Sequence, residues 1–260
     1  GLATSMPEAR HMFEMLLLEA VSLDQEEVPV GSVLLQEFLE GEEWVVDTVS
    51  RDGEHKALAL WRYDKGPANG APFVYASDEL RPAGGEAEHA LVSYAFGALN
   101  ALDWRWGPCH IEIKSTTRGP VLIEVNAGRF NGVDFKMLVD AGNGYNAYDA
   151  CLDAYSDEAA WRLLPSLPPN ELRQSARLVK LISFVEGRLV AVLHQDVLAE
   201  LPSLVRFEPE YSEEGDEVRL TLDLESAAGF AYLLHQDQDI VAEDYARLRA
   251  LQPTLFAVES

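Results

Sequence analysis

Apolar residues recur at helical spacing in three stretches of the chain. Residues 6–21, MPEARHMFEMLLLEAV, open with a proline near the start and predict a helix. Residues 86–103 predict a long amphipathic helix, with Ala90, Leu91, Tyr94, Ala95, Ala98, Leu99 and Leu102 on one side. A third helix is expected over 237–250, with Asp237 or Asp239 near its cap. Strand-like runs lie between them. Residues 33–39, VLLQEFL, read as a strand, and 43–50 and 55–63 flank an Asp52-Gly53 pair, a strong hairpin signal. The stretch 64–84 is rich in proline, glycine and alanine and reads as a loop, and 163–172 as a proline-rich connection. Further strands are expected at 177–185, 188–194, 217–224 and 229–235. Helices alternating with mostly antiparallel strands give an α+β layout, and a break near 80–85 suggests a smaller part, 6–80, and a larger one, 81–260.

The most informative stretch is 110–129, HIEIKSTTRGPVLIEVNAGR. A turn at Thr116-Thr117-Arg118-Gly119, closed by Pro120, pairs two strands around position 118. Glu112 then sits opposite Glu124, and His110 opposite Asn126. Ile111, Ile113, Val121, Ile123 and Val125 form the apolar side, which fixes the register. Like charges directly opposed on a sheet destabilise it, so something positive is expected between them. Two carboxylates with an asparagine beside them suit a hard cation such as Mg²⁺, which binds one or two carboxylates plus substrate phosphates. Zinc is a poorer fit, because its softer ligands here, Cys109 and His110, alternate to different faces. Arg129, just beyond, is placed to hold a phosphoryl or carboxylate oxygen.

Composition narrows the partners. The 260 residues carry a formal net charge of −24, which argues against nucleic acid or an anionic membrane as a partner. Two cysteines, Cys109 and Cys151, make a disulfide framework a poor expectation and a reducing cytoplasm the better one. No run approaches 18 consecutive apolar residues, so no membrane span is expected.

At GPCHIEI…GPVLIEVNAGR the chain resembles the metal-binding end of the ATP-grasp superfamily, where a Glu, a Glu-x-Asn and an Arg follow in this order. The Gly-x-x-His-x-Glu form is similar to that of carboxylate–amine ligases, including L-amino-acid dipeptide ligases. The resemblance implies Mg²⁺, or Mn²⁺ in its place, on Glu112, Glu124 and Asn126. It implies a catalytic Arg129, one position later than the family's usual spacing. A second segment, LLQEFLEGEEWVVD at 34–47, resembles the family's hinge strand. There the backbone of Glu37 and Leu39 would meet the adenine edge of ATP, with Gln36 beside them, and Glu43 would meet the ribose hydroxyls.

The family normally places a strand lysine and a glycine-rich loop ahead of the first helix, and only five residues precede it here. The resemblance therefore implies the C-terminal two-thirds of a longer ligase, lacking the N-terminal domain and glycine-rich-loop strand. It also implies pairing with the missing segment or a second copy. The expected reaction joins a small carboxylate to an amine, amino acids or similar compounds, through an acyl phosphate. A non-catalytic nucleotide-binding or assembly module is the alternative. Three weaker expectations concern substrate: Arg62 and Lys65, in a glycine-rich loop at 61–75 that would cover it, and His110, which would touch it or tune Glu112. Cys109 falls on the apolar side and reads as packing.

Overall fold

The computed structural model describes residues 2–22 and 33–259, with the side chains of 18–22 left aside. The chain forms two compact units, Gly1–Glu40 and Gly41–Ser260. In the first, helix α1 spans Met6–Ser22, as its apolar spacing predicts. Its start is a capping box. The Glu8 amide donates to Ser5 Oγ at 3.4 Å, while the Glu8 carboxylate accepts from Thr4 N and Oγ1 at 2.7 and 2.9 Å. Residues 33–40 form no strand, contrary to the expectation for 33–39. An extended run becomes a strand only where a neighbour completes its ladder, and among the described residues no sheet includes this segment.

The second unit begins with β1 (Glu42–Arg51), β2 (Glu54–Ala68) and β3 (Ala71–Arg81), followed by α2 (Glu86–Ala101), β4 (Gly107–Thr116) and β5 (Gly119–Ala127). Helices α3 (Asp134–Asn143), α4 (Ala147–Ser156) and α5 (Glu158–Leu163) come next. Then follow β6 (Ser175–Lys180), β7 (Gly187–Val192), α6 (Gln195–Ala199), β8 (Leu204–Pro209), β9 (Glu217–Val218), β10 (Gly229–His235), α7 (Gln238–Leu251) and β11 (Phe256–Glu259). An eight-stranded antiparallel sheet runs β5-β4-β1-β2-β3-β6-β10-β8, and a three-stranded one runs β11-β7-β9. The mostly antiparallel α+β expectation holds. Residue 80, where a division was expected, lies inside β3. Among the described residues, no helix is long and apolar enough to cross a membrane.

Two hairpins close on turns with positive φ at both central residues, Asp52-Gly53 and Asn69-Gly70. The second corrects the reading of 64–84 as a loop and of 61–75 as a covering loop. The stretch continues β2, turns at Asn69-Gly70 and returns as β3, because Asn-Gly favours the tight turn that matches strand twist.

One face of the large sheet packs on α2. Leu91, Val92, Ala95 and Leu99 meet Trp44, Val46, Leu60, Ile111 and Ile113. Tyr94 and Leu102 remain 37% and 59% exposed, so the buried stripe of α2 is turned toward Val92 relative to the expected one. The opposite face packs Val45, Trp61, Leu80, Leu178 and Tyr232 under Leu138 and Val139 of α3. Farther along, Val49 and Leu58 meet α4 and Trp161.

Candidate active face

The helix-free part of the α3 face carries the charged residues. The register there is the expected one, with Glu112 opposite Glu124 and His110 opposite Asn126. A β-bulge between Glu112 and Ile113 makes Ile123 the extra residue of β5, so toward the turn Ile113 pairs with Leu122. Bulges of this kind re-aim side chains and are frequent beside active sites. The apolar side of β5 is only half buried, because β5 is the sheet edge.

A positive charge does sit beside Glu112, but it is His110 and it lies on the Asp47 side, not between Glu112 and Glu124. Its ring lies between Asp47 and Glu112, with Nδ1 at 2.8 Å from Asp47 Oδ1 and Nε2 at 3.4 Å from Glu112 Oε1. Burial opposes its charge, but bonding to Asp47 and Glu112 outweighs burial and raises its pKa to about 9. Burial likewise pushes Glu112 up, and His110 and Lys65 more than offset it, holding the carboxyl below the ordinary range. At neutral pH His110 is therefore an imidazolium beside an ionised Glu112. Asn131, in the loop after β5, completes it. Its Nδ2 donates to Asp47 Oδ2 at 3.1 Å and its amide to Asp47 Oδ1 at 3.4 Å.

Glu43 lies on the same face and is ion-paired with Lys65 and with Lys114, the latter at 3.2 Å. The Lys65 ammonium stands 3.8 Å from the centre of the Tyr75 ring. One strand further in, Lys180 and Asp78 form an almost fully buried ion pair beside Tyr63 and Tyr75. Burial draws the Lys180 pKa down and the Asp78 pKa up.

Glu112, Glu124, Asn126, His110, Glu43 and Lys65 thus share one face. Arg129 is exposed, on the turn that Gly128 makes with φ 80 just beyond β5. Arg62 is not with them. It shares a rung with Trp44, on the α2 face, and bonds Glu79 at 2.5 Å and Glu42 at 3.3 Å. Gln36, Glu37 and Leu39 belong to the first unit, where Gln36 and Glu37 are exposed and Leu39 is half buried. Cys109 is buried in the α2 core, and burial raises its thiol pKa to about 11, as packing requires. Asp47, Asn131, Asp78 and Lys180 were not anticipated. A lone acid inside WVVDTV and a lone lysine inside RLVKLI were the available signals.

The donor set fits a hard divalent cation. Asn126 Nδ2 donates to Glu124 Oε1 at 2.6 Å, and Glu124 stands opposite Glu112 in the ladder, so three oxygen-bearing side chains lie side by side. Among the described residues no three His, Cys, Asp or Glu side chains gather as a complete cage. Two carboxylates with remaining positions left to substrate is the pattern of Mg²⁺.

Residues 9–136 match the family described as ATP-grasp domain. Dapdiamide A synthase of Enterobacter agglomerans is 27% identical over 236 residues, covering 88% of this chain and 53% of that protein. The L-amino acid ligase of Bacillus licheniformis superposes with a TM-score of 0.67 at 20% identity, over 86% of this chain and 53% of that one. Phosphoribosylglycinamide synthetase of Anaerococcus prevotii gives 0.64 at 15% identity, over 86% and 55%. The chain therefore spans about half the length of these relatives. Fold and family match agree: the chain carries an ATP-grasp domain over residues 9–136.

Proposed function

We propose that this chain is the catalytic-face part of an ATP-dependent carboxylate–amine ligase that forms an amide bond through an acyl phosphate. The observation that carries the reading is the opposed Glu112–Glu124 pair with Asn126 beside it, on an open face rich in charge. Dapdiamide A synthase and the L-amino acid ligase are named as enzymes of this kind. The substrates in this reading are a small carboxylate and an amine, amino acids or similar compounds.

Glu112, Glu124 and the Asn126 carbonyl would hold Mg²⁺, which would supply positive charge against the nucleotide phosphates. The substrate carboxylate attacks the γ-phosphorus. The new O–P bond forms as the bond to the β-phosphate oxygen breaks and ADP leaves. The amine nitrogen then attacks the acyl carbon, gives up a proton, and inorganic phosphate departs. Arg129 offers two parallel N–H donors to the oxygens that gain charge in both steps. His110 keeps Glu112 ionised and oriented. Glu43, ion-paired with Lys65 and Lys114, is assigned to the ribose hydroxyls. Adenine falls to the backbone of Glu37 and Leu39, beside Gln36.

The test is ATP-dependent phosphate release by the full-length protein across pairs of amino acids, with ADP and amide product measured together. Release that requires both a carboxylate and an amine supports the ligase. ATP binding without release under any pair would favour a nucleotide-binding module.

A further inference from the structure

Asp47 is an acid in the buried middle of β1, and its burial needs a reason. It is 3% exposed, its partner His110 1% and its partner Asn131 8%. A buried carboxylate is costly unless charge and hydrogen bonds surround it. Asp47 has both, from two different parts of the chain. Oδ1 accepts from His110 Nδ1 on β4, and both oxygens accept from Asn131 in the loop after β5. A bulge in the β1–β2 ladder falls between Asp47 and Thr48, which sets where this side chain points.

The loop itself is short of other anchors. Gly128 N donates to Pro108 O at 2.9 Å as the chain leaves β5. Phe130 packs edge-on against Tyr148 at 4.5 Å, and Tyr148 Oη donates to Asn131 O at 3.1 Å. Arg129 lies between these points and is exposed, so its position depends on how firmly residues 128 and 131 are held. Among the described residues, Asp47 is the side chain that hydrogen-bonds both Asn131 of that loop and His110, which in turn contacts Glu112.

We propose that Asp47 is the positioning residue of this face: one buried carboxylate clamps the Asn131 loop, and with it Arg129, to the His110–Glu112 rung. The clamp is a property of the chain alone; its effect on turnover rests on the ligase reading. By fixing the guanidinium relative to the metal carboxylates, it would lower the reorganisation needed as charge develops, an effect on kcat rather than on ground-state binding.

Hydrogen–deuterium exchange on the metal-free, nucleotide-free chain reads the clamp. Asp47→Asn and Asn131→Ala are each expected to raise exchange in peptides spanning 128–133 about tenfold, with α2 peptides unchanged. Should Asp47→Asn fail to fold, Asn131→Ala carries the test. The swap Asp47→Asn with Asn131→Asp restores an amide–carboxylate pair across the same gap and should bring exchange back to within about twofold of wild type. Unchanged exchange in the single variants, or a swap that restores nothing, overturns the clamp. In the full-length protein, Asn131→Ala should lower kcat for amide formation about tenfold while the KM for ATP stays within about twofold. The swap should recover kcat. Loosened exchange with an unaltered kcat would refute the positioning role. If the wild type forms no amide with any pair, the ligase reading fails and the exchange results still decide the clamp.

Discussion

The β2–β3 hairpin is dense in charged side chains and the β4–β5 hairpin sparse, and the two use them differently. β2 and β3 lie in the middle of the large sheet, flanked by β1 and β6. Their cations each meet a carboxylate. Arg62, Arg81 and Arg177 converge on Glu79 at 2.5, 2.9 and 2.9 Å, and Lys180 of β6 closes on Asp78. β5 is the sheet edge, and on it the carboxylates face one another. Buried charge must be matched inside the protein, whereas charge at an open edge can wait for a ligand. The contrast teaches that the central charges are matched within the sheet, whereas the edge pair is the one the proposed chemistry would use.

The largest expected effect tests the first half of that contrast. Lys180→Met leaves Asp78 buried and unpaired, and should cost about 3–5 kcal/mol in urea unfolding. Asp78→Leu added to it should recover most of the loss. A single variant costing under about 1 kcal/mol would show that the central pair is not structural.

The second half is tested at the edge. Glu112→Gln or Glu124→Gln in the full-length protein should lower turnover about 100-fold, roughly 2.7 kcal/mol of barrier. Stability should hold or rise slightly as the opposed charges are relieved. Mg²⁺ should raise the melting temperature of the wild type more than that of either variant. Equal Mg²⁺ shifts in all three would remove the metal assignment.

A smaller effect separates the two hairpins by pH. His110 is held protonated to about pH 9, above its unfolded value near 6.5. Between these values the folded state binds more protons than the unfolded one. Its contribution is complete below about pH 6.5 and is lost as pH rises through about 9. Urea midpoints measured across that window should fall for the wild type and flatten in His110→Gln. A slope that survives the substitution would assign it to another group.

The smallest change is expected at Glu43, where the two hairpins meet through Lys65 and Lys114. Glu43→Ala should raise the KM for ATP several-fold with little change in kcat, because a ribose contact is equally strong in ground and transition states. A large kcat loss at constant KM would instead make Glu43 part of the chemistry.

Legibility followed the same division. At the edge hairpin the alternation pointed to the Glu112–Glu124 rung but not to the bulge at Ile123, which brings Glu124 opposite Glu112 and turns Leu122, in place of Val121 and Ile123, into the α2 core. The central hairpin was misread as a loop. Its Gly66, Pro67, Gly70 and Pro72 look like breakers one by one, and only the Asn69-Gly70 turn marks them as a tight reversal. At 33–39 the error ran the other way: an apolar run looked like a strand although no described neighbour pairs with it.

What the sequence determined by itself was local: three helices from their period, the Asp52-Gly53 turn from residues that accept positive φ, and one pair of carboxylates on a shared face. Such features depend on neighbours a few residues away, so the pattern suffices. The tertiary structure decided which charges would meet. Asp47, His110 and Asn131 come from three segments, as do Asp78, Lys180 and their aromatic neighbours, and no spacing along the chain encodes their contact. Folding brings them into a low-dielectric interior, where an unpaired charge is costly and a paired one is fixed in place. That is why the carboxylates could be found from the sequence, and the group that holds them could not.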